Sequence, residues 1–87
     1  MKLNDKFLLH KDGETSYVLS TGETDFSGIL RGDNETASFT FDCLQSETSE
    51  DEIVANMCRE WDVSEETVRR DIRRIVDLLR GIGAIDE

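Results

Sequence analysis

The 87 residues predict an α+β domain, winged helix-turn-helix-like, with an N-terminal three-stranded antiparallel sheet followed by a three-helix bundle. Three observations lead there. β-Prone runs separated by turn signals fill the chain up to Arg31. Three stretches that open on Asn34, Ser49 and Ser64 then carry apolar residues at helical spacing. The two kinds of element are segregated instead of alternating, which sets the chain apart from a wound parallel sheet.

The strands come first. Phe7-Leu8-Leu9-His10 is apolar and extended, Lys11-Asp12-Gly13-Glu14 carries an Asp-Gly turn signal, and Tyr17-Val18-Leu19 is a second β-prone run, so the two form a hairpin. Thr21-Gly22-Glu23 turns the chain into a third strand, Asp25-Phe26-Ser27-Gly28-Ile29-Leu30-Arg31. Gly28 inside that strand marks either a close approach of another backbone or a plain loss of strand propensity. The expected sheet covers about residues 6–31.

Three helices are predicted near 35–44, 50–61 and 65–81. Asn34 is a good N-cap, and Ala37, Phe41 and Leu44 recur at i, i+4, i+7. Ser49-Glu50-Asp51-Glu52 has the spacing of a capping box, before a helix whose Ile53, Met57 and Trp61 share a face. Ser64 opens the last helix, with Glu65 and Glu66 at the positive end of its dipole, and Gly81 and Gly83 close it. The expected core is Phe41, Leu44, Ile53, Met57, Trp61, Val68, Ile75 and Leu79.

The last helix is the most informative segment. At about 100° per residue, Leu78, Ile82, Ile75, Val68, Leu79, Ile72 and Val76 form a wide apolar arc. One core needs a narrower stripe, so one edge of this arc is free for another partner. Arg69, Arg73 and Arg80 border it beside Val76, and that edge is the expected binding edge. Each of the three arginines also reads as part of a solvated face, the reading assigned to Arg70 and Arg74.

Composition narrows the function. Twenty acidic residues against ten basic ones give a net charge of −10, which repels a phosphate backbone, so no nucleic acid is expected as partner. No apolar run approaches the roughly 20 residues that span a bilayer, and the first residues lack a signal-peptide core; no membrane association and a cytoplasmic location are expected. Cys43 and Cys58 form no Cys-x-x-Cys pair and read as reduced core residues. The chain is read as one domain over 1–87, without a linker.

Catalytic constellations are missing. His10 has no nucleophile in a motif beside it, no serine lies in a Gly-x-Ser-x-Gly elbow, and neither a phosphate loop nor a Gly-x-Gly-x-x-Gly turn occurs. The carboxylates sit in caps and on helix faces, with no calcium-loop or His/Cys metal spacing. The chain is therefore expected to be no enzyme and to carry no metal or cofactor.

Four blocks, in order, resemble the coenzyme PQQ synthesis protein D (PqqD) family. They are Leu3-Asn4-Asp5-Lys6-Phe7; Asn34-Glu35-Thr36-Ala37 followed by Phe41 and Leu44; Ser49-x-x-Glu52-Ile53-Val54; and Asp71-Ile72-x-x-Ile75-Val76-x-x-Leu79-x-x-x-Gly83-Ala84-Ile85. The sequence departs from the family's pattern at Asp33, Phe41 and Ala84, where leucine, tryptophan and a larger aliphatic are usual. The resemblance implies a non-catalytic recognition element for ribosomally made, post-translationally modified peptides. It implies that the leader segment of a precursor peptide adds as a strand beside the third strand, against the last helix, and is presented to a modifying enzyme such as a radical SAM protein. The expected peptide-binding residues are Asp25, Phe26, Ser27, Gly28, Ile29 and Leu30 on the strand, Ile72 and Val76 as an apolar floor, and Arg69, Arg73 and Arg80 as a rim for acidic leader residues. Two other readings are open: a winged-helix DNA-binding regulator that reads with Arg69, Arg70, Arg73 and Arg74, and a scaffold that only joins two enzymes.

Overall fold

The structure is a computed structural model and describes residues 1–22, 29–32 and 34–87. The hairpin forms where the turn signal places it: β2 (Phe7–Asp12) and β3 (Thr15–Ser20) pair antiparallel with Asp12 opposite Thr15. β4 (Ile29–Gly32) then pairs antiparallel with β3, so the order across the sheet is β2-β3-β4 and β4 is an edge strand. The other expected residues of that strand, Asp25, Phe26, Ser27 and Gly28, lie outside the described residues.

Register decides which face is covered. Phe7, Leu9, Ser16, Val18, Leu30 and Gly32 face the helices, while Leu8, Leu19 and Ile29 stand in one cross-strand row on the outer face. Phe7 and Val18 are the sheet's contribution to the core.

Helices α1 (Glu35–Cys43), α2 (Glu50–Glu60) and α3 (Glu65–Gly81) follow. Asn34 caps α1, its side-chain oxygen accepting from the Ala37 N–H at 2.8 Å. Ser49 caps α2 by accepting from the Glu52 N–H at 3.2 Å. The reciprocal half of that capping box is diverted, because the Glu52 carboxylate accepts from the Thr48 hydroxyl instead. Ser64 occupies the N-cap position of α3 but makes no side-chain cap bond there, contrary to expectation; Glu65 and Glu66 supply the negative charge at that end.

The end of α3 shows what its glycines do. The Gly83 N–H donates to the Arg80 carbonyl at 3.0 Å and the Ala84 N–H to the Leu79 carbonyl at 2.9 Å, the paired bonds of a Schellman motif. Gly83 holds the φ of +77° that the motif requires. Ala84 is fully buried at the turn, and the small side chain there lets the chain fold back tightly onto the core.

After that turn, β5 (Ile85–Asp86) pairs antiparallel with β1 (Lys2–Leu3) and joins the two ends of the domain. These two-residue strands were not expected, since a pair so short has no periodicity to read.

Phe41, Leu44, Ile53, Met57, Val68 and Leu79 form the core as expected, with Val54, Ile72, Val76 and Ala84 added. Two expected core residues sit at its margin instead. Trp61 is half-buried and meets the Phe39 ring edge-on, centroids 5.2 Å apart, and Ile75 is half-buried on a flank of α3. Cys43 and Cys58 are free thiols packed against the core, and burial pushes the Cys43 thiol up, with the neighbouring Asp42 carboxylate adding to it. No helix among the described residues is long and apolar enough to cross a membrane.

Candidate functional site

Helix α3 buries Val68, Ile72, Val76 and Leu79. Ile72 is 0% exposed and Val76 1% exposed, so both side chains lie in the core and not on the surface expected of a groove floor. The reason is rotational: the end of the apolar arc that carries Ile72 and Val76 is turned into the core formed with α1 and α2, and the end that carries Leu78 is left exposed.

The arginine edge is also occupied. Arg69 Nη1 donates to Asp51 Oδ1 at 2.6 Å and to Glu50 Oε2 at 3.3 Å. Arg73 donates through Nε and Nη2 to the two carboxylate oxygens of Glu50, at 3.1 and 2.9 Å. Hydrogen bonds from Arg73 hold the Glu50 carboxyl below the usual carboxylate range, against the opposing effect of its own burial, and Arg69 adds to the lowering. Arg80 pairs with Asp77 and Glu87. Two of the three arginines of the expected rim therefore tie α3 to the start of α2, and Arg80 ties it to the chain's last residue.

The opposite flank is the open one. Asp71, Arg74, Ile75 and Leu78 stand at i, i+3, i+4, i+7 on α3, and Leu78 is 53% exposed. Asp71, Arg74 and Ile75 line a cleft of about 270 Å³ together with Arg31 of β4 and with Asn34, Thr36 and Ala37 at the start of α1. Here Arg74 Nη2 sits 3.5 Å from Asp71 Oδ1. β4, which lends Arg31 to this cleft, is the edge of the described sheet, with Ile29 61% exposed.

The backbone approach is fixed by Gly32. A β-carbon there would sit 2.7 Å from Phe41 Cε2 and 3.1 Å from Ala37 Cβ, so β4 lies against α1 more closely than any side chain permits. Leu30 turns inward, half-buried, beside it.

Of the expected binding residues, then, the structure places Ile29 and Leu30 on the cleft's strand. It assigns Ile72 and Val76 to the core and Arg69, Arg73 and Arg80 to ion pairs elsewhere. The sequence gives Arg31, Asp71, Arg74 and Ile75 other roles, in the third strand, the family block, the solvated face and the core, and the structure brings them together in this cleft. The signal was present in the arc itself: Leu78 and Ile75 form its other end, next to Asp71 and Arg74.

The cleft's groups are two guanidinium ions, one carboxylate, a hydroxyl, an amide and apolar carbon. Among the described residues no group of histidine, cysteine, aspartate and glutamate side chains is placed to hold a metal ion.

Comparison with known proteins agrees with this architecture. The model of the family described as coenzyme PQQ synthesis protein D (PqqD) matches residues 7–85. The chain belongs to the PqqD family. Among curated proteins no match was found. One solved structure, "TbiB1 in Complex with the TbiA(beta) Leader Peptide", superposes on this PqqD-family chain with a TM-score of 0.82 at 22% identity, covering 99% of this chain and 95% of the other. At that identity the likeness establishes a shared fold. Both ends of this chain's fold, including the β1–β5 pair, fall within the superposed length.

Proposed function

We propose that this protein is a non-catalytic module that captures the leader segment of a ribosomally synthesised precursor peptide and presents it to a peptide-modifying enzyme, such as a radical SAM protein, in the cytoplasm. The observation that carries this is the edge strand β4 lying open beside the charged and apolar flank of α3. An added strand takes its affinity from main-chain hydrogen bonds along such an edge and its specificity from side-chain pockets alongside. Membership of the PqqD family supports the reading, as does the shared fold with TbiB1, whose structure was solved with a leader peptide.

In this proposal the leader pairs along Ile29, Leu30 and Arg31, and Asp25, Phe26, Ser27 and Gly28 remain the partners expected from the sequence. Its inward side chains rest on Ile75, Ala37 and Thr36. Arg31 and Arg74 outnumber Asp71, so the cleft favours an acidic leader residue on a protein that is otherwise strongly negative. Ile72 and Val76 act from beneath, by fixing the helix that forms the wall.

The DNA-binding alternative loses its main support, because Arg69 and Arg73 are engaged by Glu50 and Asp51 and the net charge is −10. The experiment is an NMR titration of the labelled protein with candidate leader peptides from neighbouring short reading frames. Shifts centred on 29–32 and 71–78 are expected. Shifts centred on 49–61, with 29–32 and 71–78 silent, would remove the proposal.

A further inference from the structure

A second cleft lies on the other side of α1. It measures about 440 Å³ and is lined by Lys11, Gly13 and Glu14 of the β2–β3 hairpin, by Glu35, Ser38, Phe39 and Asp42 of α1 with its N-cap Asn34, and by Trp61 at the end of α2. Glu35, Ser38, Phe39 and Asp42 recur at i, i+3, i+4, i+7, so one stripe of α1 forms its wall. Thr36 and Ala37, on a different stripe of the same helix, face the cleft beside β4.

Three features set the chemistry of this cleft. Glu14, Glu35 and Asp42 stand against a single cation, Lys11. The Phe39 and Trp61 rings meet at 90° and remain half-exposed at its end, although both pack on the core with their other edges. And one ammonium is already seated there: Lys11 Nζ lies 2.7 Å from Asp42 Oδ2 and leaves Glu14 and Glu35 without an ion-pair partner among the described residues. Carboxylates beside two half-buried aromatic side chains suit a guanidinium, a cation that packs on aromatic rings and donates to carboxylates.

We infer that this cleft is a docking site for an arginine side chain presented by a partner protein, the enzyme that acts on the captured peptide. The identity of the partner rests on the function proposed above; the chemistry of the cleft does not. Asn34 lines both clefts, one on each side of α1, so the leader and the docking arginine occupy the module together and meet only at that residue.

Trp61 is the chain's single tryptophan, so its fluorescence reports on this cleft alone. The probe is a short amidated peptide with one central arginine, titrated at physiological salt beside an identical peptide carrying citrulline. Saturable change in Trp61 emission with arginine and none with citrulline is expected, and Glu14→Gln with Glu35→Gln should weaken it by about fivefold or more. Removing the same charge elsewhere, with Glu65→Gln and Glu66→Gln, should leave the response unchanged. Equal weakening by both pairs would reduce the effect to net charge and overturn the inference, as would an equal response to citrulline. A leader peptide that shifts the amides of 29–32 without displacing the arginine probe agrees with two sites. A leader that displaces the probe overturns the partner assignment and leaves leader capture standing. A leader that binds nowhere, with the arginine response intact, sinks the proposed function and with it the identity of the partner, but not the cleft's preference.

Discussion

Gly32 and Phe41 are in contact at a distance that forbids a β-carbon: one placed on Gly32 would lie 2.7 Å from Phe41 Cε2. The Phe41 ring is buried in the core and cannot swing away, so the edge strand is pressed onto α1 by the absence of a side chain. Gly32→Ala should therefore destabilise the domain by about 1–3 kcal/mol through overpacking. Chemical denaturation measures this, and pairing the change with Phe41→Leu should recover part of the loss.

Ile72 and Ile75 are separated by less than one turn but differ in role. Ile72→Ala removes a fully buried side chain and should cost about 2–5 kcal/mol, whereas the half-buried Ile75 should lose nearer 1 kcal/mol on truncation. Binding should show the reverse order. With folded protein in both cases, leader affinity measured by calorimetry is expected to fall for Ile75→Ala and to hold for Ile72→Ala.

Charge reversal discriminates between the two flanks of α3. Arg31→Glu with Arg74→Glu should weaken an acidic leader by roughly 1 kcal/mol or more, by a margin that shrinks as salt is added, with the thermal midpoint little changed. Arg69→Glu with Arg73→Glu places negative groups against Glu50 and Asp51, and should lower the midpoint while leader affinity holds. The opposite pattern in the two double variants would return the binding edge to Arg69 and Arg73.

Glu50 gives the domain an acid-sensitive joint. Its folded carboxyl titrates below its unfolded value, so the ion form favours folding above the unfolded value, and that contribution disappears as pH falls through the lowered one. Glu50→Gln should flatten the stability profile across this acid window. Thermal melts of both proteins between neutral pH and pH about 3 test it.

Much of this fold was legible in the residues. The Asp12-Gly13 turn fixes the hairpin, the Asn34 and Ser49 caps fix two helix starts, and Gly83 fixes the last helix end, because each of these signals acts within a few residues of chain. The site was half legible. The width of the apolar arc on α3 correctly says that it exceeds the core, but periodicity has no way to tell which end of the arc faces solvent. That depends on how α3 meets its neighbours: Arg69 and Arg73 pair with Glu50 and Asp51 at the start of α2, and Leu78 is left exposed on the other side. The same limit explains Trp61, whose apolar spacing suits a core but whose place at the end of α2 puts it beside a cleft.

The positive cleft set in a negative surface has a kinetic consequence. In the proposed binding mode, an acidic peptide approaching a body of net charge −10 should be slowed before it reaches Arg31 and Arg74 and held by them once it arrives. Added salt screens both effects, so it should quicken arrival and shorten residence at the same time, leaving an equilibrium constant that changes less than either rate. A module built this way loads and unloads faster as ionic strength rises, which favours repeated turnover of peptides over storage of one.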